Sequence, residues 1–216
     1  MKMARKLFLG LAACSALSVF ADPANAALLS ADFGTSVSPV APGFTAVTAS
    51  GTSVGPYTVS WLSNANTYSS GASDPLLRDF LYDNAGSSTL TVNIDGLTAS
   101  TPYSLTLYSY NPDLTVSTNF SPGAGTTGPV LNVANNGSSL FTAASPLVQA
   151  TGTYTSNGSG NLKLLVTGTT GDGYGPRFNG FVVTAVPEPS AAVLAITASA
   201  IGLGAYRRRT SRVRSI

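Results

Sequence analysis

Short runs in which polar and apolar residues alternate recur through the middle of the chain and constrain its fold more than any other feature. The clearest is Thr89-Leu90-Thr91-Val92-Asn93-Ile94, in which every second residue is apolar. Successive side chains of a strand point to opposite faces, so each run predicts a half-buried strand. Dipeptides typical of tight turns, such as Asp95-Gly96, separate the runs. We predict strands at residues 28–33, 43–49, 55–62, 88–95, 102–110, 129–134, 139–142, 147–155, 161–168 and 177–185.

One segment departs from this alternation. In Ser73-Asp74-Pro75, Asp74 is suited to cap a helix and Pro75 to occupy its first position. The apolar residues that follow recur at helical spacing, which predicts one short helix over 75–82 with Leu76, Leu77, Phe80 and Leu81 inward and Arg78, Asp79 and Tyr82 more exposed. Many strands joined by tight turns, with almost no helix, predict an all-β domain built as an antiparallel β-sandwich.

Composition limits the partners and the chemistry of the region from Ala27 to Ala185. It contains three basic and seven acidic side chains, a net charge of −4, so it lacks the basic clusters that bind nucleic acid. It has no cysteine, and the whole chain has no histidine. Most zinc sites, most general bases near neutral pH and all conventional catalytic triads are therefore excluded. Its length suits one domain.

The sequence matches one enzyme motif by composition alone. Gly51-Thr52-Ser53-Val54-Gly55 fits the pattern of a hydrolase nucleophile elbow, but an elbow needs a strand-turn-helix setting and a histidine base. We therefore predict no catalytic residue. An enzyme that cleaves polysaccharides with a pair of aspartates is the less favoured alternative, since two acids suffice for that reaction.

The N-terminus has the three parts of a secretory signal peptide. Lys2, Arg5 and Lys6 precede an apolar stretch, and Ala24-Asn25-Ala26 supplies a small-x-small cleavage pattern. We predict a signal peptide over residues 1–26, removed by signal peptidase. Leu11-Ala12-Ala13-Cys14 matches a lipoprotein box, but the apolar stretch before it is short, so ordinary cleavage is favoured over a lipid on Cys14.

The C-terminus combines a proline motif, an apolar span and a basic tail. Residues 186–190 contain Pro187-Glu188-Pro189, residues 191–206 carry no charge, and residues 207–216 begin with Arg207-Arg208-Arg209. As a helix, the uncharged run would extend about 24 Å, short but workable for a membrane span. The arginines would stay cytoplasmic. An ordinary C-terminal anchor is the alternative to a processed signal.

These three elements in this order resemble the PEP-CTERM sorting signal of Gram-negative bacteria. The resemblance covers residues 186–209. It implies recognition by an exosortase in the inner membrane, transient anchoring there, and delivery to the cell surface or extracellular matrix. Because proteins with this signal accompany exopolysaccharide production, it also implies a role in a polysaccharide matrix such as that of a biofilm.

The region between the two end segments resembles jelly-roll carbohydrate-binding and galactose-binding-like domains. The residues that carry the resemblance are Ala31-Asp32-Phe33-Gly34, the Leu-Leu-Arg-Asp segment at 76–79, Ile94-Asp95-Gly96-Leu97 leading into Pro102-Tyr103-Ser104-Leu105, and Arg177-Phe178-Asn179-Gly180-Phe181. It implies a carbohydrate ligand and a structural calcium ion, for which Asp32 and Asp172 are candidate ligands because hard cations prefer carboxylate and carbonyl oxygens. No defined calcium loop is present.

Aromatic faces stack on sugars and neighbouring polar groups bind the hydroxyls. Tyr108 and Tyr110 fall two apart in a predicted strand and are expected on one face. Asp172, Tyr174 and Arg177 gather an acid, an aromatic ring and a base in a loop at the sandwich edge. We expect the only tryptophan, Trp61, in the core. The sequence thus predicts a non-catalytic adhesion or polysaccharide-associated surface protein; a purely structural surface protein without a ligand is the alternative.

Overall fold

The computed structural model describes residues 26–62, 65–70, 72–83, 89–112, 114–135, 141–170 and 175–187. The predicted signal peptide, Cys14, Asp172, Tyr174, Glu188, Pro189, the 191–206 span and Arg207–Arg209 lie outside these residues. The compact unit that holds the described strands runs from Ala26 to Val186. No helix in the described part of the chain is long and apolar enough to span a membrane.

Thirteen strands and one short helix are described. In chain order they are β1 (Ala27–Phe33), β2 (Thr45–Val47), β3 (Thr52–Val54), β4 (Tyr57–Trp61), β5 (Ala65–Ser69), α1 (Pro75–Arg78), β6 (Asp79–Asp83), β7 (Thr89–Asp95), β8 (Pro102–Tyr108), β9 (Val116–Pro122), β10 (Leu131–Asn135), β11 (Gln149–Thr155), β12 (Leu162–Thr170) and β13 (Gly180–Ala185).

The strands form two large sheets and one hairpin. One sheet has the order β11-β8-β13-β1-β2, the other has the order β10-β9-β12-β7-β4-β3, and β5 pairs with β6 alone. The pairings are antiparallel except for β1 with β2, which is parallel. Apolar residues from the inner faces of both sheets meet in one core. The prediction of a β-sandwich is confirmed.

Strand β7 illustrates how the alternating pattern builds this core. Leu90, Val92 and Ile94 are buried, while the residues between them are only partly covered. Trp61 packs against the same core, with its ring 5.7 Å from that of Phe33 and its indole N–H donating to the main-chain oxygen of Ala65 at 3.3 Å. Trp61, expected in the core, is therefore only partly buried at the edge of the core.

The predicted helix is shorter than expected. Asp74 caps it as predicted, since its Oδ1 accepts the N–H of Leu76 at 3.0 Å, and Pro75 opens it. The helix ends at Arg78, and the second half of the predicted segment is strand β6. Asp79, expected to be exposed, is buried. Pairing with β5 and burial of every β6 residue except Tyr82 outweigh the helical spacing of the apolar residues.

Candidate functional site at the loop end of the sandwich

The connections between strands are divided unequally between the two ends of the sandwich. At one end, which we call the turn end, lie the connections 55–56, 96–101, 123–130 and 156–161. At the other, the loop end, lie the segment 62–88, which includes the β5–β6 hairpin and α1, and the connections 34–44, 48–51, 109–115, 136–148 and 171–179, parts of which fall outside the described residues. Binding residues are found mostly on loops held by a rigid scaffold, so the loop end is the candidate site.

The β5–β6 hairpin presents an aromatic surface at the loop end. Tyr68 pairs directly with Phe80, and Asn66 pairs with Tyr82, so these four side chains lie on one face of the hairpin. We call them the aromatic face. The ring of Tyr68 lies 5.5 Å from that of Phe80 and 6.3 Å from that of Tyr82. Tyr68 is 53% exposed, while Phe80 is buried. The face therefore has a fixed base and an open edge.

Arg177 packs against the aromatic face. Its guanidinium carbon lies 4.7 Å from the centre of the Phe80 ring and 5.4 Å from that of Tyr82, within the range of cation–π attraction. One of its N–H groups, on Nη1, donates to the main-chain oxygen of Gly175 at 3.2 Å. The side chain is only 3% exposed. Arg177 was predicted on an open rim; the structure instead makes it a buried support for the rings of Phe80 and Tyr82.

The two tyrosines predicted to share an exposed face are separated by the structure. Strand β8 ends at Tyr108, which is partly buried with its ring 6.3 Å from that of Phe44. Burial, and to a smaller extent the carboxylate of Asp74, raise the pKa of Tyr108 above its ordinary value. Tyr110 lies beyond the strand and is fully buried, with its ring against Phe141. The prediction of Tyr110 as an exposed sugar contact is wrong, because the alternation stops where the strand ends.

Asn179 holds the loop end together from within. Its side chain is fully buried, and its Oδ1 accepts the main-chain N–H of Tyr110 at 2.6 Å. Its Nδ2 donates to the main-chain oxygens of Leu77 at 3.1 Å and Asp79 at 2.8 Å. Its own main-chain oxygen accepts the N–H of Phe33 at 2.9 Å. One residue thus joins the end of β1, the segment after β8, helix α1 and the start of β6.

Three carboxylates are buried in this part of the protein. Asp32 on β1 is 2% exposed, and Asp79 and Asp83 at the two ends of β6 are 1% and 2% exposed. Burial, opposed by a hydrogen bond from the main-chain N–H of Ala41 and reinforced by the charges of Asp79 and Asp74, raises the pKa of Asp32 to about 7. The described residues contain no group of three or more His, Cys, Asp or Glu arranged to hold a metal ion.

The segment Gly51–Gly55, which matches the sequence pattern of a hydrolase nucleophile elbow, does not have the strand-turn-helix structure that an elbow needs. Ser53 is the middle residue of the short strand β3 and its side chain is exposed. No helix follows β3, because the chain turns at Gly55 and Pro56 directly into β4. The Gly51–Gly55 run is therefore a strand and its turns.

Comparisons with known proteins give only distant structural likenesses. No protein-family model matches the sequence. No curated protein matches it either. The fold is similar to a crystal structure of protein YxiM from Bacillus subtilis, with a TM-score of 0.48 and 14% identity over 73% of this chain and 40% of that one. The chain thus spans about two fifths of that protein's length.

Two further similar structures are family 35 carbohydrate-binding modules. For the module from Cellvibrio japonicus Abf62 the TM-score is 0.34 and the identity 16%, over 59% of this chain and 85% of that one. For the module from Clostridium thermocellum the TM-score is 0.34 and the identity 12%, over 60% of this chain and 92% of that one. Likeness at this level assigns no ligand to the chain.

Proposed function

We propose that this chain is an exported protein of a Gram-negative cell surface or extracellular matrix that binds polysaccharide without catalysis. The observation that carries the binding proposal is the aromatic face, where Tyr68 is open at the loop end and Tyr82 and Phe80 pack beside it. Sugar rings present apolar C–H faces that stack on such rings. Asn66, on the same face, would supply an amide for sugar hydroxyls.

The buried arginine supports this use of the aromatic face. A side chain without a fixed neighbour loses rotamer freedom when a ligand binds, and that loss weakens binding. Arg177 contacts two of the rings from within the protein, so part of the surface is ordered before the ligand arrives. Tyr108 and the ring of Phe44 extend the apolar surface of the loop end. We propose Tyr108 as a secondary contact.

The end segments support the export proposal. The N-terminal basic residues, apolar stretch and Ala24-Asn25-Ala26 suit signal peptidase, and the C-terminal sequence suits an exosortase. The described sandwich ends with β13 at Ala185, immediately before the proline motif. An enzyme that acts at this motif would therefore reach it without unfolding a strand.

Retention on polysaccharide tests the binding proposal. Cell-surface polysaccharide from the producing bacterium, immobilised in a gel, should retard the full-length chain. Tyr68→Ala should weaken retention about tenfold, since stacking contributes about 1.4 kcal/mol. Tyr68→Phe keeps the ring and should retain binding. Val130→Ala removes an equally exposed apolar side chain and serves as the control. Equal retention of all four proteins would favour a structural role.

Mass spectrometry of the protein recovered from cells tests the export proposal. We expect a mature N-terminus at Ala27, and processing near residues 186–190 that disappears when the host's exosortase is deleted. Recovery of the intact chain from the cytosol would contradict the proposal. Release of reducing sugar that an Asp79→Asn change abolishes would contradict the absence of catalysis.

A further inference from the structure

The charge of the sandwich is concentrated at the loop end. Two of the ten charged side chains between Ala27 and Ala185 are near the turn end, where Asp95 and Lys163 flank the connections 96–101 and 156–161 and carry opposite charges. The other eight belong to the loop end by their place in the chain: Asp32, Asp74, Arg78, Asp79, Asp83, Asp113, Asp172 and Arg177. The loop end therefore carries the whole net charge of −4.

Both arginines of the loop end are engaged within the protein. Arg177 is 3% exposed, and its guanidinium carbon lies 4.7 Å from the centre of the Phe80 ring. Arg78 is partly buried, and its Nε–H donates to the main-chain oxygen of Ala72 at 2.9 Å. The loop-end segments contain no lysine. Anionic groups of a ligand are held best by the charged donors of Arg or Lys, so an acidic ligand has no suitable partner here.

The acidic side chains of the loop end act on one another. Burial is the main cause of the raised pKa of Asp32, and the charges of Asp79 and Asp74 add to it. Charges interact more strongly in a region that excludes water than in bulk solvent. The electrostatic potential at this end of the sandwich is therefore negative, which opposes the approach of another anion.

The aromatic face itself is uncharged. It consists of Asn66, Tyr68, Phe80 and Tyr82, none of which is ionised near neutral pH. The rings of Tyr68 and Tyr82 are 6.3 Å apart and meet at 83°, so a sugar ring can lie flat on only one of them. Tyr68 is the more open of the two, and stacking on its ring requires apolar C–H groups and no charge on the sugar.

We propose that the ligand of the aromatic face is an uncharged polysaccharide, a chain of neutral sugars without carboxylate, sulfate or phosphate groups. One sugar residue stacks on Tyr68, and Asn66 bonds to its hydroxyls. An acidic polymer would be repelled by the loop end and would find no cation in compensation, which is how like charges exclude a wrong partner. This inference rests on the proposed polysaccharide binding and narrows its ligand class.

One polymer in two charge states tests the inference. Surface polysaccharide of the producing bacterium is separated by anion exchange into an uncharged and an acidic fraction, and each is immobilised in a gel. The uncharged fraction should retard the full-length chain in detergent, and the acidic fraction should not. Oxidation of primary hydroxyls of the uncharged fraction to carboxylates should weaken retention at least fivefold in 10 mM salt.

Salt separates repulsion from the loss of a hydroxyl contact. The screening length falls from about 30 Å in 10 mM salt to about 3 Å in 1 M salt. Retention by the oxidised polymer should therefore recover in 1 M salt to within about twofold of the unmodified polymer. Retention by the uncharged fraction should change by less than about twofold between the two conditions. A fivefold loss that persists in 1 M salt would overturn the inference.

A lysine on the aromatic face should relax the discrimination. Asn66 is exposed, so Asn66→Lys should fold and should strengthen retention by the oxidised polymer at least threefold in 10 mM salt. Gly158→Lys adds the same charge at the turn end, where a side chain meets nothing within 4 Å, and is the matched control. It should leave retention by both polymers unchanged. An equal gain with Gly158→Lys would show that the aromatic face does not determine the discrimination.

The two proposals fail in different ways. Salt-sensitive retention by the acidic fraction, stronger than retention by the uncharged one, would overturn the inference and leave polysaccharide binding standing. Retention by neither fraction would refute the binding proposal, and the inference with it. Loss of retention by the uncharged fraction with Tyr68→Ala would support both.

Discussion

The turn end and the loop end of the sandwich satisfy their polar groups differently. At the turn end, Ser156 Oγ accepts the N–H of Thr101 at 3.1 Å and donates to the oxygen of Thr98 at 2.6 Å, while Thr98 donates its N–H to the hydroxyl of Tyr103 at 2.9 Å. At the loop end, Asp32 and Asp79 each keep one buried oxygen without a hydrogen-bond partner among the described residues. A hydrogen-bond network in which every polar group has a partner stabilises the fold. A network that leaves buried polar groups without partners is suited to bind a ligand.

The difference shows that one scaffold can keep the residues that stabilise the fold at one end and the residues that would bind a ligand at the other. The long strands of both large sheets run from one end to the other, so a well-bonded turn end fixes the register in which the loop end is presented. Changes at the turn end should therefore alter stability alone. Changes on the open surface of the loop end should alter binding alone, and the following predictions test that division in order of expected effect.

Gly160→Ala should be the most destabilising change. Gly160 has a φ of +76°, and a side chain there would overlap the main-chain oxygen of Leu97. The strained main chain at residue 160 and the displaced turn should lower the free energy of unfolding by about 2–4 kcal/mol, as measured by urea denaturation. Gly158→Ala in the same turn meets nothing within 4 Å and is the matched control, expected within about 0.5 kcal/mol of the unmodified chain. If Gly160→Ala left stability unchanged, the description of the turn end as a complete hydrogen-bond network would be refuted.

Asn179→Ala should come next and should affect both properties. It leaves the N–H of Tyr110 and the oxygens of Leu77 and Asp79 without their side-chain partner, at a cost of about 3 kcal/mol. Polysaccharide retention should fall in the folded protein too, because the hairpin loses its anchor. Asn132 is exposed and its amide bonds mainly to the side chain of Asn119 at 2.9 Å, so Asn132→Ala should be nearly neutral in both measurements. A stable Asn179→Ala variant with full retention would show that the loop end is held otherwise.

The contribution of Asp32 to stability should fall as pH rises. Burial favours the neutral form of Asp32 in the folded state and raises its pKa to about 7, above the value of about 4 expected in the unfolded chain. The folded state then holds its proton more tightly, so stability is greatest below about pH 4 and is lost between about pH 4 and 7. Subtraction of the Asp32→Asn curve isolates this term. A difference that is flat over this range would contradict the shifted pKa.

Tyr68→Ala should have the smallest effect on stability. Half of the side chain is exposed, so the free energy of unfolding should change by less than about 1 kcal/mol. Retention on polysaccharide should nevertheless weaken about tenfold, as proposed above. Thermal unfolding and retention measured on the same preparation check both. A large loss of stability would place Tyr68 in the fold instead of on the binding surface.

Most of the scaffold could be predicted from the sequence because apolar alternation reports burial directly. Strand β7 and most of β8 follow the pattern of inward and outward residues. Strand β9 was missed because Thr118, a polar residue, is one of its inward residues, bonded to Ser109 Oγ at 2.8 Å. Strand β5 was missed because it is an open hairpin strand with no regular apolar face. The strand predicted at 139–142 falls partly outside the described residues, and Phe141 and Thr142 belong to no strand.

The candidate site was harder to predict, because it depends on contacts between distant segments. Asp-Phe-Leu-Tyr-Asp at 79–83 has a strand alternation, but the preceding leucines gave it a helical spacing as well. Nothing local reveals that Arg177 reaches the rings of β6, or that the carboxylate of Asp79 comes close to Gly34. Tyr68 was only one of several tyrosines until its partner Phe80 was known.

The most direct test of the account is to map a bound oligosaccharide onto the two ends by nuclear magnetic resonance. Fragments of the host polysaccharide should be titrated into the isotopically labelled chain while the main-chain amide signals are followed. The account predicts changes at residues 65–69, 79–83 and 175–179, with the amides at 96–101 and 156–161 unmoved. Changes concentrated at the turn end, or none at any concentration, would contradict it.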